Sequence, residues 1–148
     1  IAAELGLKVA LGVWLSDDVQ LNEKQLATAV RVVNAHPGAI ERVIVGNETL
    51  LRDELTAAQV AGYIARVRKA IPRGIPVGTA EVWSTWLRHP ELAAAGDFVA
   101  IHLLPYWEGV KAADAMAYVE HRHGLIERAF PGKPILIGEA GWPSASNT

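Results

Sequence analysis

The sequence predicts an α/β fold built on a parallel sheet of the (β/α) TIM-barrel type, incomplete at about five β/α units. Three observations lead there. Five short apolar runs recur along the 148 residues. Segments of helical period separate them, and strand–helix–strand alternation implies parallel pairing through right-handed crossovers. Polar or aromatic residues follow every run, as at the catalytic face of a barrel, while no glycine-rich phosphate fingerprint follows any.

Residues 1–5 read as the end of a helix, and residues 7–13 as the first strand. Leu26, Ala29, Val30 and Val33 then mark an amphipathic helix, with Asn22 and Gln25 expected as its N-cap and N3 pair and Pro37 just past its end. The second strand is 43–46. Val60, Tyr63, Ile64 and Val67 give the next helix, opened by Thr56 and Gln59 and followed by Pro72. Residues 75–78 form the third strand, with Pro76 near its start, where proline is tolerated. A short helix at 91–95 leads to the strand 98–104, a helix at 112–130 to the strand 135–138, and a loop at 145–148 ends the chain. These runs are too continuously apolar for half-exposed antiparallel strands.

A closed eight-stranded barrel takes about 250 residues, or roughly 30 per unit, so residues 1–148 are expected to be a single-domain fragment of a (β/α)8 domain. Its outer strands would then be open edges, suited to pairing with another copy. At 51% hydrophobic and 20% charged, the composition supports a globular core. The 14 basic and 16 acidic residues are mixed along the chain, which gives no basic stripe for nucleic acid and suits a neutral partner such as a sugar. Cysteine is absent, excluding thiolate catalysis. No apolar run approaches the ~20 residues of a membrane helix.

Two carboxylates stand out. Glu48 follows Val45-Gly46-Asn47, and Glu139 follows Ile137-Gly138 and precedes Ala140-Gly141-Trp142-Pro143-Ser144. A single glutamate after a strand is ordinarily a loop charge, but these two are 91 residues apart, three strand steps of about 30 each. Strands three apart face each other across a barrel mouth. Two glutamates could therefore flank a glycosidic bond, one as acid/base and one as nucleophile, with carboxyls about 5–5.5 Å apart in a retaining enzyme. Spacing alone does not assign the roles.

Asn47 offers an amide to a sugar hydroxyl, and Gly46 and Gly138 allow close backbone approach. Trp14, Trp83, Trp86, Trp107 and Trp142 all lie at or shortly after strand ends, where flat rings suit the apolar faces of sugars. Trp86 serves equally well as packing under a short helix. Glu81 and His102 also stand at strand ends and could orient a catalytic glutamate, with Tyr106 as a donor to the nucleophile. The expected substrate-binding set is Asn47, Glu81, Trp83, His102, Tyr106, Trp107 and Trp142.

Two rival readings use the same residues. Glu48, Glu81, His102 and Glu139 could converge on a divalent cation, although a belt of tryptophans favours a sugar. A non-catalytic carbohydrate-binding scaffold is the other. His121 and His123, two apart on a helix, point to different faces and make no metal pair. Asn47-Glu48-Thr49 matches a glycosylation acceptor by chance.

Val45-Gly46-Asn47-Glu48, Gly138-Glu139-Ala140-Gly141-Trp142-Pro143-Ser144 and Leu104-Pro105-Tyr106-Trp107-Glu108 together resemble the β-1,3-glucanases of glycoside hydrolase family 17, especially bacterial members acting as β-glucan hydrolases or glucanosyltransferases. The resemblance implies strands three to seven of a (β/α)8 barrel, with Glu48 as acid/base on strand four and Glu139 as nucleophile on strand seven. Tyr106 is similar to the tyrosine after strand six, and His102 stands where plant members tend to have asparagine. The implied activity is retaining hydrolysis or transglycosylation of β-1,3-linked glucan, without a cofactor. The implied parent is extracytoplasmic or membrane-associated, and the isolated piece is expected to be inactive or nearly so.

Overall fold

The computed structural model describes residues 1–144, so the loop expected at 145–148 lies outside the described residues. Five strands, β1 (Val9–Val13), β2 (Ile40–Asn47), β3 (Val77–Val82), β4 (Val99–Leu103) and β5 (Ile135–Ala140), form one sheet in the order β1-β2-β3-β4-β5. Every pairing is parallel, and the sheet curls into a half-barrel. The crossovers are α1 (Val19–Ala35), α2 (Ala57–Ala70), the pair α3 (Trp83–Arg88) and α4 (Glu91–Ala95), and α5 (Ala115–Ala129). The predicted alternation is what forms.

Helix starts show where local chemistry decides. At α2, Thr56 Oγ1 accepts from Gln59 N while the Gln59 side chain accepts from Thr56 N, a complete capping box. At α1 the expectation fails: Asp18 is the cap, its carboxylate accepting from Leu21 N at 2.9 Å. Asn22 lies inside the helix, fully buried, where its amide accepts from Ser16 N and donates to Ser16 O. That side chain ties the helix to the loop after β1, an order a cap could not supply.

Three further differences have simple causes. The third strand begins at Val77 and runs through Glu81, because Pro76 has no N–H for the ladder, while Thr79, Ala80 and Glu81 are polar or small yet covered on both faces. Residues 1–5 are hydrogen-bonded turns, with Leu5 N on Ile1 O, and no helix forms there. Helix α3 was not foreseen. It is only six residues long, too short for periodicity to announce.

The main core lies between the sheet and the helices, where Val60, Ile64 and Val67 of α2 are fully buried against Val43, Val45 and Ile101. Each such side chain contributes about 1.5–3 kcal/mol. On the opposite, concave face a small cluster of Ala80, Phe98 and Ala100 packs with Ile44 and Leu136. Gly78 admits Phe98 there, since a Cβ would fall 2.9 Å from its ring. The strands thus present their carboxyl ends as one rim. Among the described residues no helix is long and apolar enough to cross a membrane.

Candidate active site

Glu48 leaves the sheet directly after β2, at a break in the ladder. Register shifts between Ile44 and Asn47, and Gly46 at φ 86° turns the chain where a Cβ would stand 3.2 Å from Thr49 Cγ2. Glu48 itself has φ 56°, a left-handed conformation that costs a side-chain-bearing residue about 1–2 kcal/mol. Its amide donates to Ala80 O at 2.8 Å. Strain of this kind persists only where surroundings over-determine the backbone.

The surroundings are Glu81 and Arg52. Glu81 was expected to touch substrate, but it is fully buried and its carboxylate faces the loop after β2. One oxygen accepts from Leu50 N at 2.9 Å and Thr49 Oγ1 at 3.3 Å, the other from Leu51 N at 3.4 Å. Burial pushes this carboxyl above the usual glutamate range, against the opposing pull of those three donors. Arg52 donates to the carbonyl oxygens of Asn47 and, at 2.9 Å, Leu15, and to Glu54 at 2.6 Å. Its guanidinium also covers the Trp14 ring at 4.5 Å. Sequence reading missed Arg52, because nothing local distinguishes one loop arginine from another.

His102 and Glu139 are register partners on β4 and β5. The His102 ring, 2% exposed, has Nδ1 2.6 Å from Glu48 Oε1 and Nε2 3.7 Å from Glu139 Oε1. One ligand-type atom from each of the three residues lies within 4.8 Å of the others. Glu81 is outside this group, its oxygens already occupied.

Two clefts flank the carboxylates. One, of about 590 Å³, is lined by Glu48, His102, Trp83, Trp107 and Glu108. The other, of about 340 Å³, is lined by Glu139, Asn47 and Trp14. Trp83 is fixed as a wall by its indole N–H, which donates to Glu108 at 2.7 Å, and by the Arg122 guanidinium 4.1 Å from its ring. Burial, and after it the Glu108 carboxylate, push the neighbouring Tyr118 hydroxyl upward. Trp107 is 78% exposed, and Tyr106 packs edge-on against both Trp107 and Trp142. Those contacts hold the Tyr106 ring beside the cleft. Trp86 is a core residue, 1% exposed, donating to Ala100 O. Thr49, the third residue of the glycosylation pattern, is buried, while Asn47 is partly exposed at the second cleft.

Residues 1–148 match the BtgE/BtgC glycoside hydrolase domain. The chain is 31% identical to the btgC protein of Aspergillus niger, covering 93% of itself and 22% of that protein. It is 27% identical to a glucan 1,3-beta-glucosidase of Schizosaccharomyces pombe, over 90% of itself and 46% of the relative. Among solved structures it resembles a glycoside hydrolase family 17 beta-1,3-glucanosyltransferase of Rhizomucor miehei, at 29% identity and TM-score 0.80, over 97% of this chain and 53% of that one. An active-site mutant of that transferase has been seen in complex with laminaritriose. An endo-laminarinase from Formosa Hel1_33_131, 18% identical with TM-score 0.71, shares the fold. The chain therefore spans about half, or less, of the length of the relatives it matches.

Proposed function

Because the chain belongs to glycoside hydrolase family 17, through its BtgE/BtgC glycoside hydrolase domain, we propose that its parent cleaves or transfers β-1,3-linked glucan by retaining double displacement. Glu139 is the nucleophile and Glu48 the acid/base in this reading. The observation that carries it is the carboxylate pair itself: two glutamates from β2 and β5, far apart in sequence, with side-chain oxygens within 4.8 Å. That separation fits a retaining enzyme, whose carboxyls stand about 5–5.5 Å apart, and is too close for an inverting one.

The chemistry follows from the geometry. Glu139, half exposed at the rim, can approach an anomeric carbon, while Glu48, 22% exposed and held by His102, faces the leaving oxygen. Attack by Glu139 forms a glycosyl ester as Glu48 protonates the leaving sugar. Water or a second sugar hydroxyl, deprotonated by Glu48, then releases it, and which of the two attacks separates hydrolysis from transfer. Trp83 and Trp107 on one side, Trp14 and Asn47 on the other, give the chain's share of a glucan groove. Laminaritriose bound to the Rhizomucor transferase supports a β-1,3-glucan in that role.

Residues 1–148 supply the third to seventh units of the barrel in this reading, and the remaining wall of the groove comes from strands outside it. In the isolated chain, where those strands do not cover β1 and β5, their edges are surfaces for self-association. An extracytoplasmic or membrane-associated parent fits a polymeric glucan substrate, and cell fractionation tests it.

Glu48, His102 and Glu139 also have the residue types of a cation site. The 2.6 Å contact between His102 and Glu48 favours a proton there, because two ligands of one cation at about 2.0–2.2 Å each stand farther apart. The deciding experiment supplies laminaritriose to the full-length parent and follows product anomers by NMR. β-Linked products formed with retention, and lost at least about a thousandfold in Glu139→Gln, are expected. Inverted product, or activity that survives Glu139→Gln, would sink the assignment; activity abolished by a chelator and restored by a divalent cation would favour the metal reading.

A further inference from the structure

His102 lies between the two glutamates with one ring nitrogen turned to each, Nδ1 at 2.6 Å from Glu48 and Nε2 at 3.7 Å from Glu139. The ring is 2% exposed, so its two nitrogens are served chiefly by the glutamates on either side. Gly138 closes on the same edge: a Cβ there would stand 3.2 Å from both Nε2 and Cδ2. The ring is held with its Nε2 edge toward β5. From β3, the neighbouring carboxylate of Glu81 is engaged by Thr49, Leu50 and Leu51 and does not compete for the imidazole.

A neutral imidazole carries its proton on one nitrogen and a lone pair on the other. With the proton on Nδ1, the bare lone pair of Nε2 would face the Glu139 carboxylate across 3.7 Å, a repulsive contact. With the proton on Nε2, that contact becomes attractive. Nδ1 is then left to share one further proton with Glu48 Oε1 across the 2.6 Å contact, a length suited to a strong, charge-assisted bond.

We infer that His102 is a positioning residue that holds the catalytic proton against Glu48, its tautomer set by Glu139. This rests on the roles proposed above for the two glutamates. In the resting site one proton lies between Glu48 Oε1 and His102 Nδ1, and a second sits on Nε2 facing Glu139. When a Glu139 oxygen attacks the anomeric carbon, the bond from that carbon to the leaving oxygen breaks, and this oxygen takes the shared proton. Glu48 is now a carboxylate and Glu139 an uncharged ester, so the charge that set the tautomer is gone from the Nε2 side and the one remaining imidazole proton is favoured on Nδ1, against Glu48. That bond holds the Glu48 carboxylate in place to accept the proton of the incoming hydroxyl. As that hydroxyl oxygen bonds the anomeric carbon, the ester bond breaks, Glu139 regains its charge, and the shared proton is restored. Both half-reactions balance without a cofactor.

Nitrogen-15 NMR of the imidazoles in this chain tests the arrangement without turnover. His102→Gln identifies the His102 signals among those of His36, His89, His121 and His123; if that variant does not fold, their response to the near-isosteric Glu48→Gln identifies them instead. A directly bonded proton on Nε2, with Nδ1 between its bare and protonated positions, is expected at neutral pH. In Glu139→Gln, which removes the charge facing Nε2, proton occupancy should move from Nε2 toward Nδ1. A bare Nε2 in the unaltered chain, or no change in Glu139→Gln, overturns the inference. Expected signals in a chain whose parent leaves laminaritriose untouched would instead overturn the proposed function and leave the proton arrangement standing.

Discussion

At the scale of single residues, Glu81 acts on the site from behind it. It sits one strand over from Glu48, holds the donors of Thr49, Leu50 and Leu51, and so fixes the turn in which Glu48 adopts its left-handed backbone. Replacing it with glutamine keeps the shape but sets an amide N–H against at least one of those donors. The expected loss is about 1–3 kcal/mol at neutral pH, read from denaturant unfolding. The pH dependence has a definite sign. Burial raises this carboxyl in the folded state, so folding favours its protonated form. Its stabilising contribution is complete below the unfolded glutamate range and is lost as pH rises through the higher folded value. Stability of the unaltered chain should therefore decline across that window more steeply than stability of Glu81→Gln. Equal slopes would show that Glu81 is not the group responsible. Residue types alone marked Glu48, His102 and Glu139, since a carboxylate or imidazole after an apolar strand is visible in one dimension. Whether a carboxylate faces the groove or the loop behind it is not, which is why Glu81 was placed among the substrate contacts.

At the scale of elements, helix α2 shows how far local chemistry reaches. Thr56, Gln59 and the stripe of Val60, Ile64 and Val67 specify start and face together, and all appear as read. Thr56→Ala removes the hydroxyl half of the capping box, leaving the backbone N–H of residue 56 on the Gln59 side chain, and should cost about 1 kcal/mol, measured as a lowered unfolding midpoint with unchanged denaturant sensitivity. No measurable shift would mean that packing alone sets the start of α2. Helix α1 shows the limit. Asp18 and Asn22 are both competent caps, and only the loop after β1, which claims the Asn22 amide through Ser16, settles the choice. Helix α3 was illegible for another reason: in six residues Trp83 turns toward the cleft while Trp86 enters the core, and no period can be counted over so short a span.

For the whole molecule, the consequence of five parallel strands is two unpaired edges, β1 and β5. Ile137 of β5 is 42% exposed, an apolar side chain on an open edge. Sedimentation of the 148-residue chain should show association that grows with concentration, and Ile137→Lys should weaken it. A chain that stays monomeric at high concentration, with or without that lysine, would show that the edges protect themselves. The alternation of strands and helices, the parallel pairing and the two glutamates are legible in one dimension, because periodicity and strand-end chemistry are properties of neighbours along the chain. That Glu81 turns inward, that Arg52 joins two loops, and that one imidazole stands between Glu48 and Glu139 emerges in three dimensions alone. Those facts depend on the curl and register of the sheet, which bring residues more than 30 positions apart into contact and are set by packing that no local pattern encodes.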